Sequence, residues 1–279
     1  METYQLANGL SIPVLGFGTW QAKGDDAYQA VLAALKAGYR HIDTAQIYGN
    51  EAELGRAIKE AGIPRQELFI TTKIWNDKHS YDLAKESIQE SLAKLGTDYL
   101  DLILIHWPNP VTLRENQAWE QANRDTWRAM EEMLAEGTTR AIGVSNFMIH
   151  HLESLLVTAK VKPMVNQVLL TPGCPQTELD AFCQEHNILL EAYSPFGTGK
   201  IFSNPGMQEM AGKYGKSVAQ VALRWALQHG FLPLPKSLNP VNIAANLDVF
   251  DFELSADDMI DLDQIEASAY QSNPDERDF

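Results

Sequence analysis

Cysteine is nearly missing from this 279-residue chain: Cys174 and Cys183 are its only thiols, with no Cys-x-x-Cys and no histidine pair at zinc spacing beside them. That excludes a disulfide framework, a dithiol redox centre or a structural zinc site as the organising principle; two ordinary thiols and no metal are expected. The adjacent His150 and His151 would face different sides of a helix, so they are placed at the surface and are not expected to share a metal. Long apolar runs are also missing. No stretch has the ~18 uninterrupted apolar residues of a membrane span, and Met1–Leu6 lacks a basic region followed by an apolar core, so a cytoplasmic protein is expected. Positive charge is scarce: 22 basic against 37 acidic residues leave a net charge of −15. Such a surface repels phosphate backbones and anionic bilayers, so neither nucleic acid nor membrane is expected as a partner. No linker rich in Pro, Gly or Ser divides the chain, and a single domain over 1–279, acting as a monomer, is expected. The Gly-x-Gly-x-x-Gly fingerprint of dinucleotide-binding βαβ folds does not occur.

What the chain does have is rhythm. Short apolar runs alternate with helical patterns, as in repeated βα units. Eight strands are expected: Val14–Gly16, His41–Asp43, Leu68–Thr72, Tyr99–Ile105, Ala141–Val144, Met164–Val168, Ile188–Ala192 and Phe231–Leu234. Eight is the number that closes a parallel (β/α)8 barrel, the fold class expected here. Asn50 with Glu53, and Ser217 with Gln220, have the spacing of capping boxes; Gly38 and Gly96 stand where helices stop. Val221, Ala222, Trp225 and Ala226 form an apolar helix face destined for the core. Ahead of the first unit, Ala7-Asn8-Gly9 between strand-like residues predicts a β-hairpin that could plug the barrel bottom. The longest aperiodic stretch, Pro108 to about Ala118, is a loop of the kind that shapes substrate pockets.

Four polar residues, Asp43, Tyr48, Lys73 and His106, stand at or just beyond the ends of expected strands two, three and four. Barrels carry their chemistry at the C-terminal strand ends, so these side chains would converge on one mouth. Each alone has a bland reading: a turn cap, a packing ring, a solvated cation, a core histidine. Together they suit proton-coupled reduction. A phenol has a pKa of about 10 and donates poorly near neutrality unless a cation stabilises its phenolate. Lys73 can supply that cation, Asp43 can keep it charged, and a neutral His106 can orient a substrate oxygen.

The chain also resembles the aldo-keto reductase family. The likeness rests on Gly16-Phe17-Gly18-Thr19-Trp20, on Asp43 through Glu51, on Thr72-Lys73-Ile74-Trp75 and on Leu104-Ile105-His106-Trp107-Pro108. Downstream it continues with Gly143-Val144-Ser145-Asn146-Phe147, Val165-Asn166-Gln167, Ala192-Tyr193-Ser194-Pro195-Phe196-Gly197 and Pro235-Lys236-Ser237, in the family's order. The chain's length and short ending look like compact bacterial members similar to diketogluconate and glyoxal or methylglyoxal reductases, and the resemblance implies a (β/α)8 barrel reducing an aldehyde or ketone with NADPH. Tyr48 would protonate the nascent alkoxide, Lys73 and Asp43 would tune it, and His106 would position the carbonyl. It further implies that Ser145, Asn146 and Gln167 hold the nicotinamide carboxamide and that Tyr193 stacks on the ring, with Ser194 and Phe196 beside it. Gly197, Thr198 and Gly199 would approach the pyrophosphate, and Lys236 and Ser237 would take the adenosine 2′-phosphate, flanked by Asn242 and Asn246. Read from the residues alone, Asn146 serves equally as a helix N-cap and Tyr193 as ordinary packing.

The chain departs from the family in one stretch. Asn242 stands where the family commonly has Arg, and Ala245 where it has Glu. Loss of a planar guanidinium removes a bidentate phosphate contact, so NADPH preference is weakened and NADH tolerance is expected. Trp20, Trp75, Trp107 and Phe196 offer an apolar substrate wall or a barrel rim. Two other functions fit the same residues: a cofactor-binding sensor subunit with little turnover, and a Schiff-base lyase acting through Lys73. The nearby Asp43 opposes the second by stabilising the ammonium. The tail, Ala269–Phe279, is compatible with covering the pocket or with disorder.

Overall fold

The structure, a computed structural model, describes residues 2–266 and 273–279, so the first part of the expected tail segment, 269–272, lies outside the described residues. Two short strands, β1 (Thr3–Gln5) and β2 (Ser11–Pro13), pair antiparallel as the expected hairpin, with Tyr4 opposite Ile12. Eight further strands form one parallel sheet in sequence order: β3 (Phe17–Gly18), β4 (His41–Asp43), β5 (Phe69–Ile74), β6 (Leu100–Ile105), β7 (Thr139–Ser145), β8 (Val165–Leu169), β9 (Leu189–Tyr193) and β10 (Leu232–Leu234). The two edges meet: Gly16 N donates to Pro233 O at 3.1 Å and Gly18 N to Pro235 O at 3.0 Å, which closes the (β/α)8 barrel.

Seven strands lie within two residues of their expected positions. The first is displaced, from the expected Val14–Gly16 to Phe17–Gly18, because Val14 N bonds Glu2 O at 3.1 Å and so prolongs the hairpin. Between strands run α1 (Gly24–Ala37), α2 (Glu51–Ala61), α3 (Tyr81–Leu95), α4 (Ala118–Ala135), α5 (Ile149–Leu156), α6 (Thr177–Glu185), α7 (Pro205–Tyr214) and α8 (Val218–Gln228), followed by α9 (Pro240–Ala245) and α10 (Ala256–Gln264). Gly38 and Gly96 end α1 and α3 with φ of 116° and 66°. The Ser217–Gln220 capping box forms, and Val221, Ala222, Trp225 and Ala226 are buried. The Asn50 box does not: the Asn50 side chain caps nothing. Its amide is spent inside the barrel wall instead, accepting from Thr44 Oγ1 at 2.7 Å and donating to the Thr19 and Ala22 carbonyls, so it ties the β3 and β4 loops together.

The core has two parts. An outer shell between sheet and helices contains Trp127, Trp225, Phe147 and most of the aliphatic residues. An inner plug joins hairpin residues Leu6 and Ile12 to Phe69, Leu102, Ala141, Val165 and Leu232, which sit at or near the starts of their strands. The hairpin therefore stoppers the barrel bottom and leaves the C-terminal strand ends as the mouth. Adjacent strands come very close at Gly143, where a Cβ would lie 2.6 Å from Val165 O. Gly143→Ala should consequently force β7 from β8 and destabilise the fold by about 1–3 kcal/mol, as overpacking does; an unchanged melting temperature would contradict this reading.

Candidate active site

Asp43 ends β4, Lys73 lies one residue before the end of β5, and His106 follows β6 directly, so register places all three at one rim; Tyr48 arrives from the short 3-10 turn Gln46–Tyr48 after β4. Lys73 is completely enclosed, at 0% exposure. Its Nζ donates to Asp43 Oδ1 at 2.7 Å, to Asp43 Oδ2 at 2.8 Å and to Thr44 O at 2.8 Å, which uses all three ammonium protons. A buried cation persists only when so matched. The ammonium lies 5.3 Å from the centre of the Tyr48 ring. It gives the phenol no hydrogen bond, and burial, then the Asp43 carboxylate, push the Tyr48 hydroxyl well above its ordinary value. In the resting site burial and Asp43 thus set the direction of the shift, and at neutrality the Tyr48 phenol holds its proton. The Tyr48 ring meets His106 edge-on at 5.8 Å. Burial, then Lys73 and His79, hold His106 well below its ordinary value, so it is the neutral imidazole that the sequence reading required.

The residues expected to hold nicotinamide are linked to this quartet by hydrogen bonds. Ser145 Oγ donates to Gln167 O at 2.8 Å, and Asn146 Nδ2 donates to Ser145 Oγ at 3.1 Å and to His106 O at 2.9 Å. Tyr193 OH donates to Asn146 Oδ1 at 2.8 Å. Gln167 Nε2 bridges Asp43 Oδ2 at 2.9 Å and Glu191 Oε2 at 2.7 Å. Asn146 is therefore not a helix N-cap. It has φ of 62°, and α5 begins only at Ile149.

Beyond β9, Ser194, Gly197, Thr198 and Gly199 all have positive φ, of 48°, 53°, 54° and 96°. Gly197 N and Gly199 N donate to the Ser194 and Phe196 carbonyls, and open space lies where a Cβ at Gly199 would stand, so a ligand can approach this backbone closely. Phe196 is partly buried against the outer core and lies 5.6 Å from Phe202. Lys236 and Ser237 follow β10, which pairs with β9, and so share the rim with this turn; both are half-buried. On α9, Asn242 is exposed, whereas Asn246, which follows the helix, is buried.

Trp75 and Trp107 approach His106, with ring centres 5.1 Å and 6.4 Å away. Trp20 stays 47% exposed in the turn after β3. The wall is completed from the tail, whose covering of the pocket was one of its two expected placements: Phe279 lies 4.9 Å from Trp107 and 5.8 Å from Trp75. Its stretch of tail is strapped down by the β6 loop and α5. Asp275 accepts from Asn109 Nδ2 at 2.8 Å and meets His151 Nε2 at 3.0 Å and His150 Nε2 at 3.1 Å, while Arg114 holds the Pro274 and Arg277 carbonyls and Val111 N donates to Phe279 O. His150 is exposed as expected, but the expected surface placement of His151 is corrected. His151 is fully buried, and the two rings lie 3.8 Å apart rather than on different faces. With Asp275 they form a group of metal-ligand spacing. Met148 N donates to His151 Nδ1, though, which leaves the proton on Nε2, directed at the carboxylate; burial, then His150, lower His151 to about 4 and keep it neutral. The trio is a hydrogen-bonded clasp on the tail.

Comparison with known proteins gives the family. The aldo/keto reductase family model matches residues 14–267. This chain belongs to the aldo/keto reductase family. Glyoxal reductase of Bacillus subtilis is 46% identical over 99% of this chain and 97% of its own length. Among solved structures, an aldo-keto reductase from a Medee basin deep-sea metagenome superposes with a TM-score of 0.90 at 43% identity, covering 96% of each chain. A Bombyx mori aldo-keto reductase in complex with NADP gives 0.88 at 37% identity, over 97% of this chain and 94% of that one. As a member of the family the chain is an oxidoreductase. Among the described residues, no helix is long and apolar enough to cross a membrane.

Within this aldo-keto reductase, sequence reasoning missed Glu191 and the clasp. Glu191 had a visible signal, a lone charge in the apolar run Ile188-Leu189-Leu190-Glu191-Ala192. The clasp had none. Cys174 and Cys183 are free and buried, and burial raises the Cys183 thiol to about 12.

Proposed function

We propose that this protein binds NADPH across the barrel mouth and reduces small aldehydes or ketones to alcohols, with Tyr48 as the proton donor. The observation that carries this reading is the continuous hydrogen-bonded chain from Lys73 through Asp43 and Gln167, with Tyr48 and His106 over one end. The residues present fit the cofactor. Ser145, Asn146 and Gln167 are buried polar groups for a carboxamide, Tyr193 is a flat ring beside them, and the positive-φ turn after β9 suits a pyrophosphate. NADPH supplies the hydride; the protein supplies binding, orientation and the proton.

His106, neutral and buried, donates a hydrogen bond that fixes the carbonyl oxygen. Tyr48 holds its proton until charge gathers on that oxygen; an alkoxide is more basic than a phenolate, so transfer is downhill despite the raised phenol. Lys73 stabilises the resulting phenolate, and Asp43 keeps Lys73 charged and stationary. Trp75, Trp107 and Phe279 exclude water and favour compact, partly apolar substrates.

The test is oxidation of NADPH with small aldehydes, dicarbonyls and keto sugars, with cofactor binding followed separately by fluorescence. Turnover supports the reductase; tight cofactor binding with no turnover on any of them would transfer support to a sensor subunit. Cofactor choice has its own test. Lys236→Ala should weaken NADPH while leaving NADH unchanged, and Asn242→Arg should tighten NADPH over NADH by about 1–3 kcal/mol through a charge-assisted contact. Equal effects on both cofactors would remove the 2′-phosphate from the account.

A further inference from the structure

Glu191 is fully enclosed inside the barrel, below the mouth, yet none of the steps above uses it. It points at two groups. Oε2 accepts from Gln167 Nε2 at 2.7 Å, while Oε1 has no hydrogen-bond partner among the described residues and stands 3.9 Å from His41 Nε2. His41 cannot complete it as an ion pair: its Nε2 is engaged with Thr71 Oγ1 at 2.9 Å, and burial, then Lys73, lower it to about 3. Burial, then Asp43, raise the Glu191 carboxyl to about 8, so at neutrality Glu191 is an uncharged acid. An unpaired carboxyl oxygen in a closed interior costs free energy, so its retention calls for a compensating role.

That role follows from the amide between the two carboxyls. Gln167 Nε2 has two protons; one goes to Asp43 Oδ2 and the other to Glu191 Oε2. With both engaged, the amide cannot rotate about its last bond without losing two hydrogen bonds at once, and its Oε1 is left with no donor among the described residues. An amide held at only one proton would turn more freely and offer oxygen and nitrogen in less defined directions.

We propose that Glu191 is a positioning residue of the cofactor site: by accepting the second Nε2–H of Gln167 it locks that amide with its oxygen available to the carboxamide N–H of the nicotinamide. The proposal rests on the reading of Gln167 as part of the nicotinamide seat given above. It predicts a specific selectivity. Groups on the cofactor that donate to Gln167 Oε1 gain from the lock, and groups that cannot donate do not. Glu191 touches neither substrate nor cofactor, so its effect is transmitted only through Gln167.

The experiment uses NADP+ and its 3-acetylpyridine analogue, in which a methyl ketone replaces the carboxamide and the N–H donor is lost. Dissociation constants for both are measured with the full-length protein and with Glu191→Leu, which removes the acceptor at similar volume. The expected result is a roughly tenfold loss of NADP+ affinity, the scale of one hydrogen bond of ordinary strength, with the analogue changed by less than about twofold. Glu191→Gln, which keeps an acceptor oxygen, should restore NADP+ binding. Equal weakening of the two ligands by Glu191→Leu would mean general damage and overturn the proposal, as would no change in either. Should Glu191→Leu fail to fold, Glu191→Met, unbranched and also without a strong acceptor, carries the same comparison. Wild-type protein that binds NADP+ and the analogue equally well would instead overturn the reading of Gln167 itself, a different failure visible before any variant is made.

Discussion

Tyr48→Phe should lower kcat on the order of 10²–10⁴-fold, the usual contribution of a positioned general acid, while NADPH binding stays within about twofold of wild type. The substitution deletes one oxygen and keeps the ring that meets His106 edge-on, so packing at the mouth is preserved. Stopped-flow measurement of a single turnover would isolate the chemical step from product release. If the variant kept more than a tenth of the wild-type single-turnover rate, proton donation by Tyr48 would be untenable and His106 would become the donor to examine. The prediction is sharpened by the raised phenol. Because burial and Asp43 both disfavour the phenolate in the resting protein, the wild-type donor is already protonated across the neutral range.

Lys73→Met should cost about 3–5 kcal/mol of stability, besides abolishing turnover, because it strands the Asp43 carboxylate in an interior with no cation to match it. The expected magnitude reflects burial. Surface pairs such as Lys94 with Glu90 would be worth a small fraction of that. Combining Lys73→Met with Asp43→Asn removes the stranded charge, so the double variant should be more stable than Lys73→Met alone although equally inactive; this non-additivity is the signature of a coupled pair. Urea unfolding of the three variants measures it, and a single Lys73→Met variant within about 1 kcal/mol of wild type would show that the interior solvates Asp43 by other means.

The barrel and its quartet were legible for a common reason. His106 directly closes the apolar run Leu102-Ile103-Leu104-Ile105, and Asp43 ends the short strand His41–Asp43, so each stands where its strand delivers a side chain to the mouth. Local signals also sufficed where the partner was local, as at Ser217 with Gln220. They failed where the partner was remote. Asn50 has the spacing of a cap, but tertiary acceptors at Thr19 and Ala22 compete for its amide and win. Val14 reads as the start of a barrel strand until Glu2, twelve residues earlier, claims its N–H for the hairpin. The clasp joins His151 to Asp275 across 124 residues, and no periodicity or turn chemistry encodes such a pairing. Adjacent histidines on an ideal helix diverge; these two sit at the first positions of α5, where Asp275 gathers both rings.

The hairpin and the described end of the tail occupy opposite openings of the barrel. The hairpin near Glu2 stoppers the floor, and Phe279 rests on Trp75 and Trp107 at the mouth. A peptide appended after Phe279 would begin against the substrate wall and contest the space that substrates must enter, whereas one placed before Glu2 would begin at the far side of the molecule. Affinity handles, fluorophores and surface-immobilisation linkers therefore belong at the N-terminal side, and kinetic constants gathered from protein extended beyond Phe279 would describe a differently shaped entrance.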